Sequence, residues 1–196
     1  MKNFYFIFLF VCLPFLCFSE ECKASFRTAY FYPTSDIVRK TYHNGGLDLG
    51  WEASVGFCEN WAVFGSVNWY QQMGRSTGLE NHTRINMIPL GLGVKYLYPL
   101  NCWCDNLDVY LGAGLTYSFL YIHDQSEFVK EKNHESNIGG VIKSGINYLF
   151  YDCYFLDLFM DYQIQHFRQI HTDKVVDKHS LNLSGFKFGA GLGVAF

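Results

Sequence analysis

Leu107-Asp108-Val109-Tyr110-Leu111-Gly112-Ala113-Gly114-Leu115-Thr116-Tyr117-Ser118-Phe119-Leu120-Tyr121 is the stretch whose reading decides the fold. Val109, Leu111, Ala113, Leu115, Tyr117, Phe119 and Tyr121 make one apolar row, and Tyr110, Gly112, Gly114, Thr116 and Ser118 alternate with them. Side chains of a strand leave on opposite faces with a period of two, so this is a strand with a greasy face and a small, polar face. A strand in water would bury the first and wet the second. Glycine, however, fills no core and weakens a strand. A glycine-rich face makes sense where small residues leave room for a few large ones, which is the inside of a narrow barrel. The greasy face then looks outward.

The same alternation recurs on both sides of this run. Strands are expected near 25–33, 47–57, 61–71, 84–98, 108–121, 138–150, 154–165 and 182–196. In the second, Leu47, Leu49, Trp51, Ala53, Val55 and Phe57 oppose Asp48, Gly50, Glu52, Ser54 and Gly56. In the seventh, Leu156, Leu158, Met160, Tyr162 and Ile164 oppose Asp157, Phe159, Asp161, Gln163 and Gln165. The last sets Phe186, Phe188, Ala190, Leu192, Val194 and Phe196 against Gly185, Lys187, Gly189, Gly191, Gly193 and Ala195. Short breaks at 58–60, 99–107 and 151–153 alternate with long polar ones at 34–46, 72–83, 122–137 and 166–181. An even number of up-and-down strands with short turns at one end and long loops at the other is the layout of outer-membrane barrels. The expected fold is an all-β, eight-stranded, antiparallel, up-and-down transmembrane β-barrel. The 196-residue composition agrees, with 19% aromatic residues and only 4 Pro, a balance that favours strands. Trp61, Trp69, Tyr96 and Tyr98 near strand ends suit the two lipid–water interfaces.

Lys2 is followed by an uncharged apolar run from Phe4 to Phe18. Fifteen residues fall short of the roughly 20 needed for a spanning helix, so residues 1–19 read as a signal peptide cleaved after Ser19. Phe15-Leu16-Cys17 does not have the small residue that precedes a lipidated cysteine. Residues 20–196 form the barrel domain, with 14 basic against 18 acidic residues. That balance argues against nucleic acid as a partner. Outer-membrane lipid is the expected surrounding.

Parity assigns Arg27, Lys95, Lys143 and Lys187 to the inward face with Asp48, Glu52, Asp157 and Asp161, four charges of each sign. Eight strands enclose only enough space for side chains, and an unpaired charge there loses hydration worth several kcal/mol. The eight are therefore expected to pair and plug the lumen; the competing reading is a charged conduit for small solutes.

Of seven cysteines, Cys12 and Cys17 belong to the leader. Cys22, Cys58, Cys102, Cys104 and Cys153 precede the first strand or sit in the short turns, hence all at the inner, periplasmic rim. Five thiols cannot all pair within one chain, and the compartment is oxidising. At least one is expected to link to another envelope protein. Cys102-Trp103-Cys104 is too tight and isolated for a zinc site. His43, His82, His123, His134, His166, His171 and His179 fall in or beside the outer loops, where polar residues collect, and their spacing singles out no ligand set. Surface acid sensing is the alternative role, since imidazole titrates near neutrality.

Catalytic signatures are thin. Gly189–Gly193 is glycine-rich but has no following helix, which argues against a phosphate cradle. No G-x-S-x-G or H-E-x-x-H occurs. His179 and Ser180 are adjacent, so they leave a strand on opposite faces. Neither an enzyme nor a cofactor is expected.

Phe26-Arg27-Thr28-Ala29-Tyr30, Leu107–Leu115 and the end Gly189–Phe196 resemble the small outer-membrane barrel families. The outer membrane protein W family is the most similar, with the OmpA-type transmembrane domain and opacity-like barrels as relatives. The resemblance implies an outer-membrane location, and Phe196 resembles the sorting signal read by the barrel-assembly machinery. It also implies one of several roles: passage of small hydrophobic solutes, contact with a host surface, or wall anchoring. The cysteine-rich turns depart from that pattern and resemble envelopes stabilised by disulfides. The expected function is a structural or surface barrel, with a channel for small, apolar solutes as the alternative.

Overall fold

The computed structural model describes residues 22–36, 38–39, 45–75, 82–100, 106–124, 132–151, 153–167 and 181–196. The expected leader, residues 1–19, and Cys102 and Cys104 lie outside them.

Eight antiparallel strands close on themselves: β1 Cys22–Pro33, β2 Gly46–Cys58, β3 Trp61–Arg75, β4 His82–Pro99, β5 Leu107–Asp124, β6 Lys132–Phe150, β7 Tyr154–Ile164 and β10 Gly185–Ala195. Two short pieces, β8 His166–Phe167 and β9 Leu181–Asn182, pair with each other at the loop end. Each barrel strand pairs with its neighbour in sequence, and β10 returns to β1 through Phe26↔Leu192 and Ala29↔Gly189. The seam is completed by Cys22 N–H donating to Phe196 O at 2.9 Å and Phe196 N–H donating to Cys22 O at 2.8 Å.

The wall is inside-out relative to a soluble protein. Leu115 is 70% exposed and Leu192 63%, while Arg27 and Lys143 are 4% and 3% exposed. Closing the sheet leaves it no free edge, which is the way strands can cross hydrocarbon. A rise of about 3.3 Å per residue and a tilt of about 40° give the outward stretch Tyr154–Tyr162 a height of about 20 Å. That is close to the apolar band of membrane barrels.

Glycine makes room for the lumen aromatics by close approach. A Cβ on Gly189 would lie 2.6 Å from Phe159 Cζ, one on Gly145 2.6 Å from Tyr110 Oη, and one on Gly93 2.8 Å from Phe64 Cζ. Each large inward ring is laid against a strand position that has no side chain.

The strands depart from the expected bounds mainly at the loop end. The breaks at 72–83 and 122–137 are in part strand, since β3 continues to Arg75, β4 begins at His82, and β5–β6 pairing persists to His123↔Lys132. Polar residues hid this extension. A hairpin that extends past the apolar belt needs ladder hydrogen bonds but no apolar face. Conversely, the expected run 182–196 begins as a strand of the barrel only at Gly185. One ladder is interrupted: β3–β4 pairing passes from Val67↔Leu90 to Tyr70↔Met87 in the same register, skipping Pro89. Proline has no N–H to give.

Candidate functional site: the lumen

Arg27, from the middle of β1, is the centre of the lumen. Its Nη1 lies 2.6 Å from Glu52 Oε2 and 3.3 Å from Asp161 Oδ2. Its Nε is 3.0 Å from Asp157 Oδ2 but out of hydrogen-bond alignment, so that contact is Coulombic. Nη2 donates to Tyr110 Oη at 3.0 Å, and Tyr110 Oη donates to Asp157 Oδ1 at 2.9 Å. Glu52 also receives Lys95 at 3.0 Å and Lys143 at 2.8 Å, and Lys143 reaches Asp161 at 3.0 Å. The guanidinium carbon of Arg27 stands 3.5 Å from the centroid of the Phe159 ring, a desolvated cation–π contact. Three cations and three carboxylates make this layer neutral.

A second pair lies nearer the loop end. Lys187 Nζ is 2.7 Å from Asp48 Oδ2, and Asn68 Nδ2 donates to Asp48 Oδ1 at 2.7 Å. A third lies nearer the termini, where Lys23 Nζ is 3.2 Å from Asp108 Oδ2. All eight residues picked by parity are thus buried, each within ion-pair distance of another.

Lys23 and Asp108 are hidden in the sequence because alternation in the first strand is plain only from Ser25 and the fifth strand is marked by its apolar row. The signal was present: Lys23 shares the parity of Arg27, and Asp108 that of Tyr110. Tyr110 itself reads as a space-filling ring until its hydroxyl is seen to link Arg27 to Asp157.

Above the ionic layers the lumen is apolar. Phe31, Val38, Tyr70, Ile85, Met87, Leu120, Phe167 and Leu183 form one buried cluster. Around it Ser118 Oγ donates to Gln165 Oε1 at 3.0 Å, and Gln165 Nε2 donates to Asn137 O at 3.2 Å. Phe167 of β8 and Leu183, next to β9, fold inward over the mouth and cap it. This cluster was missed because a few inward apolar residues at strand ends look like lapses in the alternation.

Cys22, Cys58 and Cys153 all stand at the end of the barrel that holds its two seam termini. Cys58 and Cys153 are free thiols, the first exposed and the second half-buried. Phe196 is 77% exposed. Of the histidines, His82, His123 and His134 are in the loop-end extensions of β4, β5 and β6, and His166 is in β8. His43, His171 and His179 lie outside the described residues. Among the described residues no cluster of His, Cys, Asp and Glu has the geometry to hold a metal ion.

No protein-family model matches the sequence, and no curated protein matches it. Solved structures do match in shape. The outer membrane protein OprG from Pseudomonas aeruginosa superposes with a TM-score of 0.71 at 13% identity, over 91% of this chain and 96% of that one. Neisserial surface protein A gives 0.60 at 14% identity, covering 90% and 96%. The N-terminal β-barrel domain of Pseudomonas aeruginosa OprF gives 0.55 at 13%, covering 91% and 98%. The chain has the fold of the small eight-stranded outer-membrane barrels.

Proposed function

We propose that this is an outer-membrane barrel with a structural and surface role, non-enzymatic, whose lumen is a plug. The shared fold and the outward apolar belt support the location. The observation that carries the plug is the neutral central layer, in which Arg27, Lys95 and Lys143 meet Glu52, Asp157 and Asp161 beneath an apolar cap. An ion crossing this layer would have to break several buried pairs, each break costing about 3–5 kcal/mol. Planar-bilayer recordings of the full chain are expected to show no reproducible open steps. Regular unitary steps would overturn the plug.

Attachment at the inner rim is the second part of the proposal. Cys58 and Cys153 are available to a periplasmic partner on one rim, and an oxidising compartment would let them pair. Non-reducing electrophoresis of native membranes is expected to show a slower, reducible band. An unshifted monomer with all thiols titratable would remove the link. The barrel-assembly machinery remains the expected partner for insertion, with Phe196 exposed at the seam.

One observation favours passage of small apolar solutes as the other reading: the interrupted β3–β4 ladder beside Pro89 weakens one seam of the wall. Silent bilayers together with barrel-dependent uptake of an apolar fluorophore would move the conclusion to it.

A further inference from the structure

Outward aromatic residues with polar tips gather at the two ends of the belt, Trp61 and Tyr98 near the termini and Trp69 and Tyr117 toward the loop end. Trp51 breaks that rule. It pairs with Phe26, next to Arg27 at the centre of the lumen, so it stands halfway up the belt, and it is 61% exposed. Its ring meets Phe26 edge-on at 5.1 Å. Thr28, two positions along β1 from Phe26, is outward and exposed as well. Neither side chain makes a hydrogen bond to another described residue. Ser144, outward on β6, instead donates from Oγ to Met160 O at 2.6 Å. An indole N–H and a hydroxyl without partners are costly in hydrocarbon, where acyl chains offer no acceptor.

The two groups stand at nearly one height. The paired row that leaves β1 at Cys22 returns to it at Tyr32, so rows climb toward the loop end as they pass from β1 to β2 and onward. With strands about 4.8 Å apart and tilted about 40°, stepping from Trp51 back to Phe26 descends about 3 Å, and two residues up β1 regain about 5 Å. Trp51 and Thr28 thus differ by about 2 Å in height, one on each side of Phe26. A symmetric pair of copies inserted in the same direction has its two-fold axis along the membrane normal, which brings equal heights together. We propose that the β1–β2 face binds a second copy of this chain, with Phe26 at the axis and Trp51 Nε1–H of each copy donating to Thr28 Oγ1 of the other. The face is self-complementary, since donor and acceptor share one surface at matching height. Ala190, paired with Thr28, leaves room for the incoming indole. Lipid tails satisfy neither group; a second copy satisfies both, twice. This inference rests on the membrane-spanning reading.

Sedimentation equilibrium of the full chain in density-matched micelles tests it, under reductant so that no disulfide holds copies together. The wild type is expected to show a monomer–dimer equilibrium. Trp51→Phe, which keeps a ring and loses the N–H, should weaken association about tenfold, and Thr28→Val, the same shape without the hydroxyl, by as much. The double variant should be no weaker than either single one, because both remove the same bond. Ser144→Ala should change nothing. A wild type that stays monomeric at every concentration, with lipid alone on this face, overturns the proposal. Undiminished association of both single variants, or losses that simply add, overturn it too. Heat-shifted electrophoretic migration verifies folding of each variant. If one misfolds, the indole N–H resonance of Trp51 in the wild type decides: it should move on dilution, and a resonance indifferent to dilution overturns the bond. A wild type that stays folded in water without detergent would instead remove the membrane reading itself.

Discussion

Arg27→Met is expected to destabilise the folded barrel by about 3–5 kcal/mol, the range for removing one partner of a buried ionic cluster. The substitution leaves Glu52, Asp157 and Asp161 facing only Lys95 and Lys143, an excess negative charge in a layer where every one of these groups is at most 5% exposed. It also takes the donor from Tyr110 and the cation from the Phe159 ring. Lysine would be a poor substitute, since a single ammonium nitrogen cannot meet Glu52 and Asp161 with one edge and Tyr110 with another while a flat group lies on Phe159. Urea unfolding in lipid vesicles, followed by tryptophan fluorescence, measures the loss. A change below about 1 kcal/mol would mean that water reaches this layer and the plug is not closed.

Leu158→Arg probes the opposite face. Leu158 lies halfway along β7, is 51% exposed, and pairs with Ala190 and Ile146, both at outward positions. On the surface of a soluble barrel, arginine there would be harmless. At the midplane of a bilayer it should cost about 2–4 kcal/mol. The same unfolding assay in vesicles reads the difference, and an unchanged midpoint would exclude hydrocarbon from this face. The two substitutions bracket the fold: one removes a charge from inside, the other adds one outside.

The architecture was legible because a single physical rule, alternation at period two, runs through all eight strands. Lys187 among Gly185, Gly189 and Gly191 cannot be a soluble surface and cannot be a core, so the sheet must turn that face toward a narrow interior. Counting by twos from such positions picks out Arg27, Glu52, Asp157 and Asp161 without any knowledge of distance. The rest was illegible for equally physical reasons. Parity fixes the side of the wall but not the height, so it cannot say that Lys187 meets Asp48 while Arg27 gathers three carboxylates. Lys132 and His123 read as loop residues because strand pairing past the apolar belt leaves no hydrophobic trace. The cap escaped because Phe167 and Leu183 come from a segment whose inward fold depends on the short β8–β9 pairing.

That cap has a consequence for how the molecule experiences its surroundings. Phe31, Tyr70, Phe167 and Leu183 pack together in one buried cluster at the loop end, and Arg27 below them is only 4% exposed, so mobile counterions have little surface on which to crowd around it. Exposed charges lose their hold on one another in brine, but shielded ones do not. A cell envelope passing from fresh water to seawater would therefore change the chemistry of the rim and leave the strength of the central fastening as it was.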